Sequence, residues 1–116
     1  MRFSVKKINL SGIEPKIDHA TNGALSIFSQ QVFKDMTPFV PMDTGNLAES
    51  PARASNFNKG QIIYDTPYAK RMYNGVNFNF STDKHPQAQA HWDEKAKTVH
   101  IKSWEKVAKR AIEQGL

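Results

Sequence analysis

The chain contains no cysteine among its 116 residues. That excludes a disulfide scaffold, a thiol nucleophile and a thiolate metal site. No apolar run approaches the roughly 20 residues that a membrane-spanning helix needs, and no membrane partner is expected. Residues Met1 to Lys7 alternate polar and apolar and lack the apolar centre of a secretory signal. The expectation is therefore a chain made in the cytoplasm. Gly-x-Ser-x-Gly is missing, and so is a glycine-rich phosphate loop. There is no five-residue basic block, although 16 Lys and Arg face 11 Asp and Glu, a formal charge of +5. Basic charge spread this evenly is a weak sign of a nucleic-acid partner.

What is present suits one folded domain spanning residues 1–116. Hydrophobic residues make up 39% and charged residues 23%, which argues against disorder throughout. Residues 1–12 read as an N-terminal strand or arm, with Phe3 and Val5 on one side. Glu14-Pro15 opens a helix that carries Ile17, Ala20, Ala24, Ile27, Phe28, Val32 and Met36 at spacings of three and four. Asn22-Gly23 falls inside that helix, at a cost of about 1 kcal/mol against alanine. Thr37-Pro38 ends it. Asp43 or Thr44 caps a short helix anchored by Leu47, and Pro51 stops that helix. Residues 52–58 read as loop or edge strand, and Lys59-Gly60 as a turn. Gln61 to Asp65 reads as a strand, and Tyr68 to Tyr73 as a short helix ended by Asn74-Gly75. Residues 76–91 form an extended polar loop or arm. Trp104, Val107, Ala108, Ala111 and Ile112 define a last helix from Ile101 to Gln114. The expected class is α+β: a small, largely antiparallel sheet, two longer helices packed on one face, and the polar arm.

Three constellations invite chemical readings. Asp43-Thr44-Gly45 is the triplet of aspartic proteases, which are homodimers at this chain length in their retroviral form. Here Pro41 lies two residues upstream, where those enzymes have strand, and Asn46 follows the glycine. A structural turn made by Asp43, Thr44, Gly45 and Leu47 is the better reading. His85, His91, Asp93 and His100 fit no metal-ligand spacing, and no metal or cofactor is expected. Lys102, Lys106, Lys109 and Arg110 lie mostly on one side of the last helix, opposite its apolar stripe. They read as a solvated face, with contact to DNA or to an acidic protein surface as the alternative. Phe78, Phe80 and Trp92 sit beside polar sequence and read as aromatic anchors of a subunit interface. Tyr68, Arg71 and Tyr73 on the short helix join them.

Several segments together resemble a known family. They are Val40 to Ser50 with its Pro-x-Asp-Thr-Gly-x-Leu turn, Tyr64 to Gly75 with Tyr-Ala-x-x-x-Tyr-x-Gly, and Ala90 to Ala96, followed by a helix. This order resembles the minor capsid proteins of tailed phages infecting Gram-positive bacteria, and more loosely phage neck and tail-completion proteins. The resemblance spans about residue 15 to the end. It implies a non-enzymatic virion protein, assembled in the host cytoplasm into a ring of six or twelve subunits between head and tail. Its implied partners are further copies of itself, neighbouring neck and tail proteins, and DNA passing through the lumen. The readings from the residues alone that compete with it are a small basic DNA-binding protein and, more distantly, the protease.

Overall fold

A computed structural model describes residues 1–8, 10, 17, 19–41, 46–76, 80 and 85–114. Its architecture is α+β. Strand β1 (Arg2–Ser4) pairs antiparallel with β2 (Gln61–Ile63), with Arg2 opposite Ile63, Phe3 opposite Ile62 and Ser4 opposite Gln61. The amide of Tyr64 donates to the Met1 carbonyl at 2.8 Å and extends the ladder. The N-terminal strand is shorter than the sequence suggests. It gives way to a 3-10 turn at Val5–Lys7, which buries Val5.

The main core lies between two helices, α1 (Asn22–Met36) and the 22-residue α4 (Trp92–Glu113). Helix α1 buries Ala24, Leu25, Phe28, Ser29, Val32 and Met36 along one face. The expected single helix is interrupted at residues 19–21, before α1 begins. Thr21 is its N-cap, and the Thr21 hydroxyl accepts from the Ala24 amide at 3.1 Å. Asn22 and Gly23 therefore occupy the first turn, where their poor interior propensity costs little. Ile17 is helical and buried, in keeping with the expected helix, while residues 11–16 and 18 lie outside the described residues. Pro38 ends α1 in a 3-10 turn, Thr37–Phe39.

Helix α4 begins nine residues before the expected Ile101. Its first two turns bury Trp92 and Ala96, before Trp104, Ala108 and Ala111 continue the same face. Asp93 and Glu94 sit in its first turn, where they oppose the positive end of the helix dipole.

Helix α2 (Asn46–Ala54) corrects a second expectation, because Pro51 lies inside it and does not stop it. A proline there removes the N–H that would reach the carbonyl four residues back, on Leu47. The Ser50 hydroxyl donates to that carbonyl instead, at 2.9 Å. Residues 52–54 finish this helix, where loop or edge strand is expected. Asn56 then forms an isolated bridge with Gln61 around a 3-10 turn, Phe57–Lys59. Gly60 closes the turn at φ 72°, and a Cβ there would lie 2.9 Å from Val5 Cγ2. The expected capping turn at Asp43, Thr44 and Gly45 lies outside the described residues, as do Phe78 and residues 81–84.

The far end of the expected arm is docked. His85 Nδ1 lies 2.7 Å from the Val40 carbonyl oxygen, and the Gln89 amide donates to the Phe39 carbonyl at 3.0 Å. Residues 85–90 therefore lie against the turn that follows α1. Their polarity reflects hydrogen bonds to backbone as well as solvent contact.

Candidate subunit interface

Helix α3 (Ala69–Tyr73) has only five residues, too few to be stable alone. Tyr73 at its end ties it to the core. The Tyr73 ring packs on Phe3 at 5.6 Å and on Trp92 at 5.0 Å between centroids. Tyr64 closes the set, 5.8 Å from Phe3 and 5.3 Å from Trp92. Three of the four contacts are edge-on, the arrangement aromatic quadrupoles favour. This quartet joins β1, the end of β2, α3 and the start of α4.

Polar contacts lock the same joint. The Tyr73 hydroxyl donates to Asp93 Oδ1 at 2.5 Å, and the His91 amide donates to the Tyr73 carbonyl at 3.0 Å. His91 itself has φ 52°, a left-handed conformation uncommon outside glycine, and it is the N-cap residue of α4. Its ring lies 4.7 Å from that of Tyr73, and its Nδ1 is 3.0 Å from Glu94 Oε2.

Both quartet tyrosines are held in the protonated form. Burial pushes the Tyr64 phenol well above its usual range, and the negative charge of Asp93 adds to this. The nearby Trp92 indole works in the opposite direction, but the two groups do not meet hydrogen-bond geometry, and among the described residues both polar atoms are buried without a partner. Tyr73 is raised as well, first by burial, then by its hydrogen bond to Asp93 and by the charges of Asp93 and Glu94. At neutral pH both rings are packing surfaces, and Tyr73 is also a hydrogen-bond donor. Among the described residues, no group of three or more His, Asp or Glu is placed to hold a metal ion, and no helix is long and apolar enough to cross a membrane.

The joint presents an exposed surface. Tyr68, just before α3, is 39% exposed, and Val76, just after it, is 68% exposed. Lys70 and Arg71 are exposed between them. Of the expected interface residues, Tyr68, Arg71 and Tyr73 thus share this short helix and its start, Tyr73 being half-buried. Phe80 is half-buried. Trp92 belongs elsewhere: at 0% exposure it is core, and its side chain offers no surface to a neighbour. Leu47 is buried on α2, as an inward anchor should be.

A cleft of about 310 Å³ lies between β1 and α4. Val32, Met36, Ile62 and Trp104 line its floor, and Arg2, Lys7, Asp93, Glu94 and Lys97 its rim. Its lining comes from four separate stretches of chain, so no local pattern announces it.

Two of the three segments that carry the family resemblance, Tyr64 to Gly75 and Ala90 to Ala96, meet in this joint. Comparison with curated proteins and with solved structures returns no match. A model of the minor capsid protein family matches residues 4–112, almost the whole chain. The chain thus belongs to the minor capsid protein family, whose members are structural components of the virion.

Proposed function

We propose that this chain is a non-enzymatic neck subunit of a tailed phage, one copy in a ring that joins the filled head to the tail. The observation that carries the reading is the exposed pair Tyr68 and Val76, held on either side of a helix that the aromatic quartet fixes to the core. A rigidly mounted aromatic and aliphatic pair flanked by Lys70 and Arg71 has the composition of an interface anchor with a polar rim. A neighbouring copy that meets it with a different surface would close a ring of six or twelve. Family membership and the order of the sequence motifs point the same way. Assembly in the host cytoplasm and contacts with neighbouring neck and tail proteins belong to this reading.

The test is a null of this gene in its phage, with the lysate imaged by electron microscopy. Filled or leaking heads lying apart from complete tails are expected. Normal infectious particles would overturn the neck assignment.

A further inference from the structure

The outer face of α4 carries a line of cations. Lys95, Lys102, Lys106, Lys109 and Arg110 are all exposed. At 100° and 1.5 Å per residue they fall within an arc of about 100° and span about 22 Å. The opposite face buries Ala96, Trp104, Ala108 and Ala111, so the line points away from the core. Val99 lies among the cations, Thr98 and Ser103 lie about 20° and Glu105 about 40° outside that arc, and the acidic residue within it is Glu113, beyond the last cation. Among the described residues none of the five cations is in an ion pair.

We infer that this face binds the phosphate backbone of double-stranded DNA without reading its sequence. A protein partner would ask for a different surface. Interface cores are depleted in lysine and built on aromatic or apolar anchors. Here four of the five cations are lysine, the face has no aromatic residue, and Val99 is its one exposed large hydrophobic. Lysines on flexible stems serve as point charges for phosphate, and such contacts carry no sequence information. The length fits as well. A 22 Å stretch of B-DNA presents about six phosphates on one strand, against five cations. The inference is independent of the ring. A chain that failed to join heads to tails would still bind duplex through this face.

The test uses the purified full chain and a random-sequence duplex, with affinity followed from 25 to 200 mM salt. The wild type is expected to show log K against log salt with a slope of about −4. The triple variant Lys102→Gln, Lys106→Gln, Lys109→Gln is expected to lose about 3 of that slope, roughly one per lysine. A control variant, Lys6→Gln, Lys34→Gln, Lys59→Gln, removes the same charge from exposed sites elsewhere and should keep the wild-type slope. All six lysines are exposed, so the melts should match the wild type, and a shared melt separates lost binding from lost fold. No duplex binding at the lowest salt would overturn the inference. So would an equal loss in both variants, which would mean net charge alone. Equally tight binding to polyglutamate would overturn it too, by pointing to an acidic protein partner.

Discussion

The indole N–H of Trp104 donates to Asp35 Oδ2 at 2.7 Å, across 69 residues of sequence. It is a polar tie between the two long helices, set beside their shared core. Trp104 is almost fully buried, and its N–H points at the half-buried carboxylate on α1. Gln31 also donates to Asp35, at 3.2 Å, and so steadies the acceptor.

This tie predicts an asymmetry between two substitutions. Asp35→Asn keeps an acceptor oxygen and should change stability by less than about 1 kcal/mol. Asp35→Leu leaves the Trp104 N–H buried without a partner and should cost about 1–3 kcal/mol. Urea denaturation of both variants, fitted for midpoint and slope, checks this. Equal losses would mean that the hydrogen bond contributes nothing specific.

Tyr64 predicts a particular pH dependence. Its phenol is raised in the folded state, while in the unfolded chain it titrates near 10. The folded state therefore keeps a proton that the unfolded state releases. The resulting stabilisation is complete below about pH 10 and is lost as pH rises from there towards the folded value. In that window Tyr64 contributes a fall of about 1.4 kcal/mol per pH unit. Tyr64→Phe should flatten the alkaline limb by that amount. At pH 7 the same change should be nearly neutral, because the hydroxyl it removes has no hydrogen-bond partner among the described residues. Unfolding curves from pH 7 to 11 on both proteins test the two halves together.

The exposed pair predicts a separation of folding from assembly. Tyr68→Ser with Val76→Ser changes two exposed side chains outside the buried core cluster, so the melting temperature should move by no more than a few degrees. Complementation of the null phage with this variant should fail, with heads and tails accumulating apart. Wild-type plaque numbers from the double variant would show that α3 is not the ring contact.

The elements visible in the sequence are those fixed by local periodicity. Val32 and Met36 on α1, and Trp104, Ala108 and Ala111 on α4, recur at helical spacing and all turn out buried. The first two turns of α4 escape this logic. Their inward positions are Trp92, Ala96 and His100, and a small alanine and a histidine do not stand out from polar neighbours. Trp92, beside polar sequence, therefore reads as an interface anchor, though it is core. Helix α3 is legible from Pro67 and Asn74-Gly75, but its mounting is not. Phe3, Tyr64, Tyr73 and Trp92 are scattered along the chain, and only the fold brings their rings together. The Trp104–Asp35 tie is invisible for the same reason.

Ser50 and Pro51 show how a helix rule is broken with compensation. Pro51 withholds the N–H that the Leu47 carbonyl would receive, and the Ser50 hydroxyl supplies a donor in its place. Ser50→Ala should leave that carbonyl buried and unpaired, at a cost of about 1–2 kcal/mol. Pro51→Ala restores the backbone donor, so in that background the hydroxyl becomes redundant. Ser50→Ala should then cost less than about 0.5 kcal/mol. The double-mutant cycle, measured by urea unfolding of the four proteins, should give a coupling energy of about 1 kcal/mol. If the serine costs the same in both backgrounds, its role is packing in a tight site. If the coupling appears, the hydroxyl is what allows α2 to run through its proline to Ala54, and so to set the start of the turn that delivers β2 to β1.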